Sequence, residues 1–434
     1  MTAEPRVLVT NCVVLNGGDA AILYGLLDRL RAAIGPRIDV IVVDDQPEAV
    51  AGRYPQLPTT RRLDATLGRA PSIPILGRVV AELQRARLLA GAWCMGRGMA
   101  SLARLWLNSE QRSALEVFSW STAVVSTGGT YLVERYPIAG RLLELEVALA
   151  MRRPLVLFTQ SLGPFTERRH RRTVRTIASR ARLVLLRDEL SRRHLIDLGI
   201  PGDHVQVVAD GAFALTARRP ARTGHRLRVA VSVRDWPYAS GDAGVTNTRY
   251  RASIKGLVEG LVSNRGAEVT FLSTCQGAPE YWTDDSAVAT TIAEELDPRV
   301  RGSVQVDRAF RSPPELLDTL GRFDLVVATR MHMAILALVA GVPVFPIAYE
   351  SKTRELFGRL GMAEWVRDFE ELVGPSLSED VERFIDELPA ISGPLRAMVD
   401  AERRSALATA DLLAQALSVA SRGPAPERTA QARS

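Results

Sequence analysis

The chain has 434 residues, 47% of them apolar, and Lys plus Arg exceed Asp plus Glu by 55 to 49, a net charge of +6. That length and apolar share favour two domains with at least one large core, which excludes a small peptide or a disordered module. The positive surplus is spread along the chain, and basic residues interleaved with aromatics are scarce, so no nucleic-acid partner is expected.

The cations are mostly arginine, whose planar fork grips carboxylates and phosphates at two points. Cys12, Cys94 and Cys275 show neither zinc-site spacing nor a disulfide framework, so a reducing compartment is expected, with no metal and no cofactor. The first residues lack the charged head and apolar run of a signal peptide, and no apolar stretch reaches membrane-spanning length. The expectation is a cytoplasmic protein, soluble or peripheral to the inner face of the membrane.

In chain order, short runs rich in Val, Ile and Leu fall at 6–15, 38–45, 123–129, 154–161, 183–188 and 205–210. They alternate with longer amphipathic runs, the pattern of a buried parallel sheet with crossover helices. The stretch from about 71 to 116 breaks this alternation, with Arg85, Arg87, Arg97 and Arg104 set among apolar residues at helical spacing. It reads as a helical insertion, either a basic amphipathic surface for a lipid-linked acceptor or, as the pattern favours, a helical hairpin packed on the first domain.

A polar break after residue 217 closes the first domain, 1–217. A second series of strands follows at 226–234, 267–274, 302–307, 323–330 and 342–349, with helices at 254–262 and 333–341, giving a second domain over 226–378. Terminal helices are predicted over 379–421. The last residues, 422–434, are polar and Pro-rich and predicted to be disordered. The fold class is α/β, with two Rossmann-like domains facing each other across a cleft.

Several of the predicted strands end in residues suited to chemistry. Asn16, Gly17, Gly18 and Asp19 join the first strand to a helix; the glycines let backbone approach a ligand at a helix N-terminus, and Asn16 and Asp19 serve equally as helix caps. Gly128 and Gly129 follow the strand at 123–126, and Ser161 and Gly163 follow the one ending at 160. Such turns on the carboxyl edge of an α/β sheet border the ligand crevice, although turn chemistry alone also explains them.

Arg187 and Arg234 stand at matching strand ends in the two halves, where they form cationic forks on opposite walls or pair with neighbouring carboxylates. The strongest local constellation is RMHMAILALVAGVPVFPIAYESK, in which Arg330 and His332 start an apolar helix and Lys352 follows the next strand. His332 is an acid/base candidate, and Arg330 and Lys352 are anion-binding candidates; a structural histidine and a surface lysine are the plainer readings.

Together NGGDAAI, STGG, TQSLGP, RDELSRRHL, SVR and RMHMAILALVAGVPVFPIAYESK resemble the polysaccharide pyruvyl transferase family over about residues 16 to 361. The resemblance implies a fold like the GT-B glycosyltransferases and transfer of an enolpyruvyl unit from phosphoenolpyruvate, the donor substrate, to form a pyruvate ketal on a sugar of a glycan or lipid-linked saccharide. It assigns Arg187, Arg330, His332 and Lys352 to the donor side. The chain departs from the family at Thr130, where many relatives have glycine, and at Asp210, which opens DGAF where a DPAF-like form is expected.

Donor chemistry agrees, since a small molecule carrying both carboxylate and phosphate calls for several converging cations. The competing readings are a nucleotide-sugar glycosyltransferase or epimerase on the same fold, and a non-catalytic scaffold in envelope assembly.

Overall fold

The computed structural model describes residues 5–68, 74–200, 202–217, 226–238, 242–372 and 376–418. The tail predicted at 422–434 lies outside them.

The first sheet comprises β1 (Arg6–Thr10), β2 (Asp39–Asp44), β3 (Thr59–Arg61), β4 (Ala123–Ser126), β5 (Gly129–Leu132), β6 (Leu155–Leu162), β7 (Leu183–Leu186) and β8 (Val205–Val207). The second comprises β9 (Arg228–Ser232), β10 (Glu268–Phe271), β11 (Val304–Val306), β12 (Leu325–Ala328), β13 (Val344–Ala348) and β14 (Arg367–Asp368). Their orders are β3-β2-β1-β4-β6-β7-β8, with β5 beside β6, and β11-β10-β9-β12-β13-β14. Neighbours run parallel, as in β1 with β4 and β9 with β12.

Apolar runs that are not interrupted by polar residues are what such sheets require, because helices cover both faces; all eight residues of β6 are buried. In each sheet the order reverses direction between two central strands, β1/β4 and β9/β12. That reversal opens a crevice at the carboxyl ends of those strands, the place where this kind of sheet binds ligands.

Three short strands were not foreseen from the sequence: β3 and β14 are edges, and β5 pairs only with β6. The predicted insertion forms the helices Pro74–Met95, Ala100–Ala103 and Ser109–Trp120. Leu88, Ala92, Cys94, Leu115 and Phe118 of this segment enter the core on one side of the first sheet, so the insertion packs on the first domain.

Where terminal helices were expected from residue 379, one helix runs from Ser376 to Ser418, with Pro389 and Pro394 inside it. Its first half packs on the second domain, Phe384 lying edge-on to Phe345 and Trp365 at 5.5 and 5.0 Å. Its second half returns to the first domain, where Ser405 Oγ accepts from Ala209 N at 3.0 Å and Arg403 donates to Thr216 Oγ1 at 3.0 Å.

The helix Gly17–Ile34 lies between the domains. A methyl group at Gly25 would sit 2.1 Å from the carbonyl oxygen of Gly211, so glycine permits the close approach of helix and turn. Core residues of both domains, from Val7 and Ile22 to Val231 and Leu338, belong to one continuous apolar cluster. The three cysteines are free and buried.

Candidate active site

The carboxyl ends of the strands in both sheets enclose a cavity of about 410 Å³. Arg187 follows β7, Arg234 follows β9, Arg330 and His332 follow β12, and Lys352 follows β13; all five line it, as do Asn16 and Asp19. Residues as far apart in sequence as Asn16 and Lys352 thus meet because each terminates a strand or starts a helix on the same edge.

Arg187 is buried and held on every nitrogen. Its Nε donates to Ser161 Oγ at 2.7 Å, Nη1 to Asp210 Oδ2 at 2.6 Å and Nη2 to Thr130 Oγ1 at 2.9 Å. Ser161 in turn donates to Asp188 Oδ2 at 2.5 Å. Burial works against ionisation of Asp210, but the Arg187 guanidinium and His332 outweigh it and hold the carboxyl far below its usual range.

Across the domain boundary, His332 Nε2 lies 3.4 Å from Asp210 Oδ2 and 3.4 Å from Arg187 Nη1. Asp210 therefore orients both the arginine and the imidazole. His332 occupies the first turn of the helix Met331–Val339, whose N-cap is Arg330.

Arg330 makes a two-point contact with Asp285, Nε to Oδ2 at 2.8 Å and Nη2 to Oδ1 at 2.7 Å. Desolvation opposes its charge, yet the Asp285 carboxylate drives its pKa well above the ordinary value. Ser273 donates a further hydrogen bond to that carboxylate. Lys352, one of only two lysines in the chain, pairs with Glu350 Oε2 at 2.5 Å and donates to Thr130 Oγ1 at 3.1 Å. Burial disfavours both charges of that pair, but each raises the other's ionisation, so Lys352 titrates high and Glu350 low.

Arg234 differs. It is buried, its guanidinium carbon 4.3 Å from the Tyr349 ring and 4.8 Å from Trp236, and its Nε donates to the Asp235 carbonyl at 3.2 Å. Among the described residues no carboxylate lies within ion-pair distance of it. Asp19, half-buried on the opposite wall, has no cation within ion-pair distance among the described residues; burial, the largest influence, raises its pKa against the opposing pull of His332 and Arg187.

The glycines of the first turn serve the protein itself. Asn16 caps the helix Gly17–Ile34 by accepting from Gly18 N at 2.9 Å and donates to Tyr281 of the second domain at 3.2 Å. Gly17 N donates to the Thr274 carbonyl at 2.9 Å, and a Cβ at Gly17 would stand 2.6 Å from that oxygen. A Cβ at Gly18 would stand 2.6 Å from His332 Nδ1. Close domain contact, not ligand approach, accounts for both.

Gly128 packs against Thr159 and Ile22, and Gly129 has φ of 143°; neither lines the cavity. Ser161 and Gly163 line an adjoining cavity of about 550 Å³, which shares Thr130, Tyr349, Glu350 and Lys352 with the first.

The sequence reading left Asp285, Glu350 and the aromatic wall unassigned. Tyr136, Trp236, Tyr238, Tyr281 and Trp282 line the cavity, Trp282 with 72% of its surface exposed. Thr130 and Asp210, singled out only as departures from a pattern, prove to be the hydroxyl shared by Arg187 and Lys352 and the carboxylate shared by Arg187 and His332. Among the described residues, no helix is long and apolar enough to cross a membrane, and no group of three or more His, Cys, Asp or Glu is placed to hold a metal ion.

Two Rossmann-like domains facing each other across a cleft place the chain in the GT-B-like fold class. Its solved members include Anabaena Alr3699/HepE in complex with UDP-glucose, which is 13% identical, with TM-score 0.53 over 96% of this chain and 99% of that one. A putative UDP-N-acetylglucosamine 2-epimerase from Listeria monocytogenes gives TM-score 0.56 at 12% identity over 98% of each chain. At such identities the likeness is one of fold.

Residues 16–351 match the polysaccharide pyruvyl transferase family, and the chain belongs to it. It is also 26% identical over 412 residues to the amylovoran biosynthesis protein AmsJ of Erwinia amylovora, covering 91% of this chain and 95% of that protein.

Proposed function

We propose that the protein transfers pyruvate from phosphoenolpyruvate to two hydroxyls of one sugar, forming a ketal during exopolysaccharide biosynthesis. The observation that carries this reading is Arg234, a buried guanidinium without a carboxylate partner among the described residues, on a cavity that Arg187, Arg330 and Lys352 also line. A buried charge is costly unless an opposite charge meets it, so this cleft is built to receive an anion. Arg187, Arg330 and Lys352 are already paired; their carboxylates fix them in place on the cavity wall.

On this reading the donor's phosphate and carboxylate lie among Arg234, Lys352 and Arg330, with Arg187 behind them as a fixed positive charge. His332 adds a proton to the methylene carbon C3, which leaves positive charge at C2. A sugar hydroxyl oxygen bonds to C2, the bond from C2 to the phosphate oxygen breaks with its electron pair on phosphate, and a second hydroxyl forms the second C–O bond. One hydroxyl proton restores His332 and the other departs with phosphate, so the reaction balances. Asp19 stands on the acceptor side as the carboxyl through which a hydroxyl proton passes. The rings of Tyr136, Tyr281 and Trp282 offer apolar faces for the sugar.

The test is to incubate the purified protein with phosphoenolpyruvate and candidate glycans, then follow phosphate release and glycan mass. Expected is one phosphate per ketal formed. Turnover of a nucleotide sugar with release of a nucleoside diphosphate, and none of phosphoenolpyruvate, overturns the proposal.

A further inference from the structure

The insertion helix Pro74–Met95 leaves an apolar face uncovered. Leu76, Val79, Leu83, Ala86, Ala90 and Trp93 recur at alternating spacings of three and four, which places them along one side of the helix. All six are exposed, Leu76, Val79, Leu83 and Trp93 by 47–59%. Leu102 and Leu105, in the segment that follows, are exposed as well, Leu105 with 79% of its surface bare. The same helix turns Leu88 and Ala92 into the core, so its inward face is satisfied and the outer stripe is a second apolar face.

Beside it runs the helix Arg168–Arg180, which contains no acidic residue. Arg168, Arg169, Arg171, Arg172, Arg175 and Arg180 are all exposed. Arg169 pairs with Glu82 of the insertion helix, and both helices pack on the helix Ala139–Ala150. Arg168, Arg172, Arg175 and Arg180 have no ion-pair partner among the described residues. Bare leucines next to an arginine row is the composition that beds a helix in the headgroup region of an anionic bilayer.

Like charges would meet across a two-fold axis if a second copy covered the stripe, and nucleic acid offers nothing to the leucines. The basic helix also starts at the rim of the adjoining cavity. Glu134, which lines that cavity, accepts hydrogen bonds from Thr166 and Glu167 N and meets His170 at 2.8 Å. Lys352 stands at that cavity's junction with the cation-lined one.

We infer that the Leu76–Trp93 stripe and the Arg168–Arg180 helix form one docking surface for an anionic lipid bilayer, which brings a membrane-borne saccharide to the adjoining cavity. The second clause rests on the pyruvyltransferase reading; the docking itself does not.

The experiment is co-sedimentation of the full chain with vesicles of phosphatidylcholine alone or containing phosphatidylglycerol, at low and high salt. Expected is binding only to the anionic vesicles, weakened by salt. At about a fivefold gain per surface arginine, the triple variant Arg168→Ala, Arg172→Ala, Arg175→Ala binds roughly a hundredfold more weakly. Leu83→Glu with Leu105→Glu also loses binding, and both variants keep phosphate release on a soluble acceptor.

Equal binding to both vesicle types, no binding to either, or unchanged binding in the variants overturns the inference. So does a wild-type dimer that the leucine variant dissolves. Loss of phosphate release in the wild type would instead strike the catalytic reading and leave the vesicle result standing.

Discussion

Arg187 and Arg234 each follow the carboxyl end of a strand on opposite walls of the cleft, β7 toward the margin of its sheet and β9 at the centre of the other, and the protein treats them in opposite ways. Arg187 is fastened by Asp210, Ser161 and Thr130, while Arg234 lies against the rings of Trp236 and Tyr349 with no carboxylate within ion-pair distance among the described residues. A fastened cation is part of the frame and contributes a fixed field. An unfastened one exposes its desolvated charge to whatever enters.

The sharpest way to break this comparison is at His332, which the second domain carries and Asp210 of the first domain orients. His332→Ala should lower kcat by about 10²–10⁴-fold while donor binding, measured by calorimetry, persists. Unimpaired turnover removes it from the proton transfer.

The arginines themselves should then separate by the property they change. Arg187→Ala strands a buried carboxylate and should cost about 3–5 kcal/mol of folding stability, read by denaturant titration, along with activity. Arg234→Ala should leave stability nearly untouched and weaken kcat/KM by roughly 10–150-fold, the loss of a hydrogen bond to a charged group. Equal stability losses in the two variants would erase the distinction.

A third pair sharpens it by geometry. Glu144 is fully buried but stands 3.9 Å from Arg62 Nε, against 2.6 Å for Asp210 and Arg187. At the longer distance burial wins, and the Glu144 carboxyl is pushed up to about 7. The folded chain then keeps a proton that the unfolded chain has released, so stability falls as pH rises from about 4 to about 7. Glu144→Gln should flatten that slope by up to about 1.4 kcal/mol per pH unit, seen as a Tm less sensitive to pH; an unaltered slope places the titration elsewhere.

Apolar runs revealed the long strands because a parallel sheet buried on both faces leaves no room for polar residues. β3 and β14 escaped notice because edge strands of two or three residues carry no such run, and β5 because it begins inside a glycine turn. Strand-end cations were legible for the same reason the strands were: the residue after a buried run must face the crevice.

Their partners were less so. Asp285 opens a helix in a segment without motif character, and only the fold brings it to Arg330. The glycines at 17 and 18 signalled close approach, but sequence cannot say to what. Here the neighbours are Thr274 and His332 of the other domain.

The helix Ser376–Ser418 ties the two lobes by its opposite ends. Pro389 and Pro394 each withhold an amide from the ladder, so the rod is least stiff between its two anchorages. Any widening of the gap between lobes must therefore be taken up as flexure at that midpoint, and this one helix sets the angle at which Arg187 and Arg234 confront each other.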